Sequence, residues 1–247
     1  MAATQAPVGK RALQHEMAEW VAYFERNHSD RLPIPWGRGI AVEPRLRAPL
    51  IRSLQRFQVG ERGDGVHLRA GALATGDPLY GQAIDLFVQE EQEHSRLLAA
   101  LLQGMGAPLL KSHWSDACFI FLRRLCGLRT ELLVLLIAEL IAKRYYHTLH
   151  EGTADPVLRS AFAQILRDEE GHVAFHCAYL QRALASWPRA LRILMRAVWQ
   201  VAFRLVCLVV LYDHRTVLRA ATVSPGTFWR ESGLVFAEAA ESIFGMG

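Results

Sequence analysis

The chain has 247 residues, 51% of them hydrophobic, with 28 basic side chains against 24 acidic ones. That length buries a sizeable core in one domain, and a net charge of +4 is too small to demand a polyanionic partner. Cys118, Cys126, Cys177 and Cys207 show no C-x-x-C spacing, which excludes a zinc ribbon or rubredoxin-type iron site and reads as buried free thiols in a reducing compartment.

The first residues, MAATQAPVGKRALQHEMAEW, lack the continuous apolar core of a secretion signal, so the expected location is the cytoplasm. Residues 10–27 predict a leading helix with Leu13, Met17, Trp20, Val21 and Phe24 on one face. Prolines and glycines between Arg31 and Pro49 predict an irregular connector. A helix carrying Glu61 is expected from Arg45 or Pro49 to Ala74. Its middle, Gly60-Glu61-Arg62-Gly63-Asp64-Gly65, is poor helix material, because each glycine costs about 1 kcal/mol against alanine. Those glycines read either as a break or as space for a substrate beside Glu61.

Asp77-Pro78 is a start signal for a second helix, which runs to Gln103 and stops at Gly104, Gly106 and Pro108. Residues 109–127 predict a crossover with a short helical stretch, so that the second and third helices run parallel. The third, Leu128 to Glu151, is apolar nearly all round. Ala154-Asp155-Pro156 repeats the start signal and opens a fourth helix ending near Trp187-Pro188.

Ala190 to Tyr212 is long enough to span a bilayer. Arg192, Arg196, Gln200 and Arg204 recur every four residues along it, however, so an amphipathic helix packed on the bundle is the expectation, with membrane-surface contact the lesser alternative. A Ser224-Pro225-Gly226 turn and a final amphipathic stretch to Phe244 complete the chain. One domain over 1–247 is expected, with a core at about 45–185, a helix at 10–27 and helices within 188–245 packed on it.

The chain repeats itself at a shift of 78 residues, which lays DPLYGQAIDLFVQEEQEH over DPVLRSAFAQILRDEEGH. Glu91 falls on Glu169, His94 on His172, Glu90 on Asp168, and Glu61 on Glu139. Each half therefore reads as one Glu, an interval of 30 residues, then Glu-x-x-His. A spacing of three puts carboxylate and imidazole on one helix face, and the interval suits a helix, a turn and an antiparallel return. Four carboxylates and two imidazoles then converge on one interior. Such donors suit iron or manganese rather than a thiolate metal.

Competing readings exist for each residue. Glu139 stands in an apolar run where a bare carboxylate is costly, and an ion pair with Lys143 is the alternative to a metal. The two Glu-x-x-His pairs, taken singly, are ordinary on a solvated helix face. Glu90 and Asp168 read as acids that hold the ligand imidazoles or as salt-bridging groups, with Arg96, Arg144 and Arg167 as candidate partners. His176 lies one turn beyond His172, but its repeat partner is Leu98, so a core or cavity histidine is expected. Tyr145, Tyr146 and His147 read as aromatic packing before a cavity lining or radical site. His67 and Cys177 receive no role.

Glu61, Glu91-x-x-His94, Glu139 and Glu169-x-x-His172 resemble the ligand set of the ferritin-like di-iron carboxylate superfamily, over about residues 45–185. The resemblance implies an all-α, ferritin-like four-helix bundle with extra terminal helices. It implies two iron ions, or a manganese–iron pair, with Glu91 and Glu169 bridging, Glu61 and Glu139 terminal or shifting, and one of His94 and His172 on each metal. The implied activity is that of an O2-activating oxidoreductase, which hydroxylates, desaturates or N-oxygenates a small, largely apolar substrate. With no flavin or iron–sulfur motif in the sequence, the electron donor is external; a homodimer is compatible.

The main alternative is an iron-handling or peroxide-scavenging protein of ferritin or rubrerythrin type. Missing paired cysteines and some 60 extra C-terminal residues weigh against it. A non-enzymatic helical partner and a tRNA hydroxylase are lesser alternatives, the latter opposed by the lack of a strongly basic segment.

Overall fold

The structure, a computed structural model, describes residues 8–112 and 127–245, with side chains from His15 onward. The crossover expected at 109–127 falls largely outside the described residues, as do Cys118 and Cys126. Among the described residues there are nine α-helices and no strand. They are α1 (Val8–Ser29), α2 (Pro44–Gly60), α3 (Val66–Leu73), α4 (Pro78–Gly104), α5 (Gly127–Gly152), α6 (Pro156–Ala185), α7 (Arg189–Asp213), α8 (Arg215–Ala220) and α9 (Pro225–Phe244).

The two repeated start signals act as caps. Asp77 Oδ1 accepts from the backbone N–H of Leu79 and Tyr80, and Asp155 Oδ1 accepts from that of Leu158. Each such cap is worth about 1 kcal/mol. Asp155 also reaches beyond its own helix. Its Oδ2 accepts from the N–H of Ala41, which ties the connector before α2 to the start of α6.

Three residues join α5 to α6, so the two lie antiparallel and pack along their length. α5 buries Leu132, Leu133, Leu135, Ile137, Ile141 and Tyr145, residues from all sides of the helix, because α3, α6, α7 and α9 surround it. α4 is flanked by α1 and α2 and meets α6 across the middle. This meeting brings the two copies of the repeat face to face.

The helix expected from 45 or 49 to 74 is in fact two. α2 ends at Gly60, and Glu61 caps it with its N–H on the carbonyl of Phe57. The glycines of 60–65 therefore mark a break. Gly65 carries the turn: its φ is +67°, and a Cβ there would stand 2.6 Å from Val88. Gly60 and Gly63 face open space.

The helix α7 departs from expectation in its orientation. Its arginines are turned towards α9: Arg192 donates to the carbonyls of Phe244 and Gly245, Arg196 pairs with Glu241, and the Arg204 guanidinium lies 4.5 Å from the Trp229 ring centre. Gln200 is exposed. The outward face is apolar, with Leu194, Val198, Val201 and Leu205 each more than half exposed. The helix is long and apolar enough to cross a membrane; its most apolar 18 residues have a mean hydropathy of 1.9, and only 17% of them are buried. The short α8 between α7 and α9 has no counterpart in the sequence pattern.

Replacing Gly65 with Ala should destabilise the protein by about 2 kcal/mol or more, from left-handed backbone strain and overpacking against Val88. Chemical denaturation checks this, with Gly63→Ala, which meets nothing, as the neutral control.

Candidate metal centre

Glu91 and His94 project from one face of α4, and Glu169 and His172 from one face of α6, as the three-residue spacing requires. One donor atom from each of the four lies within 4.8 Å of the others, a group that could hold a metal ion. His94 Nδ1 is 3.6 Å from both Glu91 Oε1 and Glu169 Oε1. His172 Nδ1 is 3.0 Å from Glu91 Oε1 and 3.9 Å from Glu169 Oε2. Both imidazoles thus aim Nδ1 at the carboxylates.

The opposite ring nitrogens are held by acids, and the holding is crossed. His94 of α4 places Nε2 2.9 Å from Asp168 of α6, and His172 of α6 places Nε2 3.0 Å from Glu90 of α4. An acid on Nε2 fixes the tautomer with a proton there and leaves Nδ1 free to bind a cation. Arg96, Arg144 and Arg167 do not partner these acids. They pair instead with Glu93, Glu231 and Asp30.

Apart from the imidazoles and Gln164, the partners of Glu90 and Asp168 come from the N-terminal segment. Asn27 donates its amide to Glu90 Oε1 at 2.8 Å and to Asp168 Oδ1 at 2.7 Å. Arg31 grips Asp168 with both terminal nitrogens, at 2.9 and 2.7 Å, and Gln164 adds a further bond at 2.9 Å. Sequence reasoning missed these residues, although a signal existed. Asn27 continues the buried stripe of Met17, Val21 and Phe24, and a polar residue there needs a buried polar partner.

Glu61 and Glu139 flank the cluster. Glu61 Oε1 accepts from the Tyr146 hydroxyl at 3.2 Å, and Glu139 Oε1 is 3.5 Å from His176 Nε2. Lys143, the expected alternative partner of Glu139, reaches towards Glu170 instead. His176 is fully buried beside Phe87 and Phe175. Tyr145 stacks on Phe57 and shares the Ser53 hydroxyl with His214. His147 faces Arg144, His67 is exposed, and Cys177 is a buried free thiol pushed up to about 12 by burial.

Electrostatics sharpens the picture. Burial, then the charge of Glu91, raises the Glu61 and Glu169 carboxyls well above their ordinary range. Burial opposes the charge on Glu91 too, but hydrogen bonding and charge from His172 outweigh it and hold Glu91 at about 2. Burial works against a charged His172, yet Glu90 and Glu91 raise it well above its usual value. Burial and His172 together lower His176 to about 3. Without a cation, protons on Glu61, Glu169 and His172 offset the crowding around an ionised Glu91.

The donor set fits a first-row divalent ion. His94 Nδ1 and Glu169 Oε2 are buried and make no hydrogen bond, although both are aimed into the cluster. Buried polar atoms are rarely left so, and oxygen and imidazole donors suit iron, manganese or zinc. No protein-family model matches the chain, and no curated protein matches it.

Glu61 and Glu169 bind protons more tightly folded than unfolded, so the stability they confer is complete below about pH 4.5 and declines as pH rises towards their raised values; His172 adds the same trend above about 6.5. The metal-free protein should therefore lose thermal stability between about pH 5 and 8, and less so as Glu169→Gln. A divalent cation should offset the loss by displacing those protons. A melting temperature that climbs throughout this range without metal refutes the assignment.

Proposed function

We propose that the chain is an O2-activating non-haem di-iron oxidoreductase of ferritin-like type, acting on a small, largely apolar molecule with electrons from an external donor. The observation that carries this reading is the crossed pair of Glu-x-x-His motifs, with both Nδ1 atoms and carboxylates of both helices aimed into one buried space. In this reading Glu61, Glu91, His94, Glu139, Glu169 and His172 would hold the metal pair, with one of the two histidines serving each ion. When bound, a pair of iron ions supplies the electrons that reduce O2 and the oxidising power for hydroxylation, desaturation or N-oxygenation.

The chain's own residues supply the rest. Glu90 and Asp168 keep the two imidazoles oriented, while Tyr146 donates a hydrogen bond to Glu61. Phe24 and Phe87 pack against His172, and Phe87 and Phe175 against His176, which keeps bulk water from that side. A dry surround strengthens every charge interaction inside it and protects a reactive centre from side reactions.

Protein produced with iron should hold about two irons per chain, with most of this lost in His172→Ala. Metal analysis giving fewer than about 0.3 iron per chain would sink the reading, and manganese in one position would mark a mixed pair. Reduced protein should consume O2 in a single turnover without assembling into a large cage on sizing. Cage assembly with iron uptake would favour the storage alternative.

A further inference from the structure

The crossed scaffold is symmetric in its ligands but not in what stands behind them. Asp168, which holds His94, accepts five hydrogen bonds: two from Arg31 and one each from Asn27, Gln164 and His94. One of its donors is a guanidinium in bidentate contact, which neutralises the carboxylate. Glu90, which holds His172, accepts from the neutral amide of Asn27 and from His172. The two imidazoles are therefore backed by unequal acceptors.

An acid behind a ligand histidine polarises its N–H and pushes electron density onto the nitrogen that faces the metal. A carboxylate already shared with a guanidinium does this less well. We propose that Arg31 is a positioning residue that makes the two metal positions inequivalent: the position served by His172 binds a divalent cation first and more tightly, and that served by His94 second. This rests on the metal-centre reading above and goes beyond it, since the repeat alone predicts two equal positions.

The physical content lies in the sign. Were Arg31 only a structural clamp on Asp168, its loss would loosen His94 and weaken the second position. If it acts through charge, its loss frees Asp168 to polarise His94, and the second position tightens. Outer partners of metal ligands typically change affinity by about 10–100-fold, so the difference is measurable.

The test is calorimetric titration of Co2+ into the metal-free full-length chain. Two steps at least about 10-fold apart are expected, the tighter one surviving in His94→Ala and lost in His172→Ala. In Arg31→Gln the gap should shrink by about threefold or more because the weaker step tightens, while Arg31→Lys, which keeps the charge, should preserve most of it. Circular dichroism confirms that each variant is folded; should Arg31→Gln fail, Arg31→Met provides the same comparison. Equal steps in the parent protein, a weaker second step in the uncharged variants, or the tight step tracking His94 would each overturn the proposal. Absence of any Co2+ binding would instead overturn the metal-centre reading on which it stands.

Discussion

Burying several carboxylates in one place is the constraint on which the rest of the structure depends. Glu91 and Glu169 meet, with Glu61 and Glu139 close enough to feel their charge, between helices otherwise lined by Leu, Ile and Phe. Desolvating even one such charge costs several kcal/mol unless it is compensated. The compensation comes from two imidazoles, from protons on Glu61 and Glu169, and, in the proposed working state, from metal ions. Much of the surrounding architecture serves to hold that arrangement in place. α4 and α6 present the cluster, α1 supplies Asn27 for the acids behind it, and Arg31 follows just beyond that helix.

The repeat made the heart of this arrangement legible before any coordinates. Glu91, His94, Glu169 and His172 are local pairs, and a three-residue spacing carries its own geometry. The caps at Asp77 and Asp155 were legible for the same reason, since both cap and capped N–H groups lie within one turn. The break at Glu61 was readable as one of two possibilities, and glycine conformation at Gly65 decides for it.

What escaped the sequence was non-local. Asn27, which donates to both Glu90 and Asp168, lies 63 and 141 residues from them, on a helix whose apolar stripe said only that it packs. Charge alone suggested Arg96, Arg144 and Arg167, but each of these found an exposed or half-exposed acid instead. The stripe on α7 failed in the opposite way. Its period was right, yet period does not say which face looks inward, and carbonyls at the end of α9 proved the better destination for Arg192.

The contact between Asn27 and Asp168 spans 141 residues and has a consequence for the order of assembly. α1 is made well before α6, so the second acceptor of its amide, Asp168, is synthesised 141 residues after Asn27 itself. Contacts this distant form late, because the intervening chain must be closed before they return any free energy. During synthesis the leading helix can already pack on α4 and bond Glu90, but the amide's second bond, to Asp168, has to wait. The centre becomes whole only when α6 arrives, which leaves the nascent chain no complete cation trap of this kind until then.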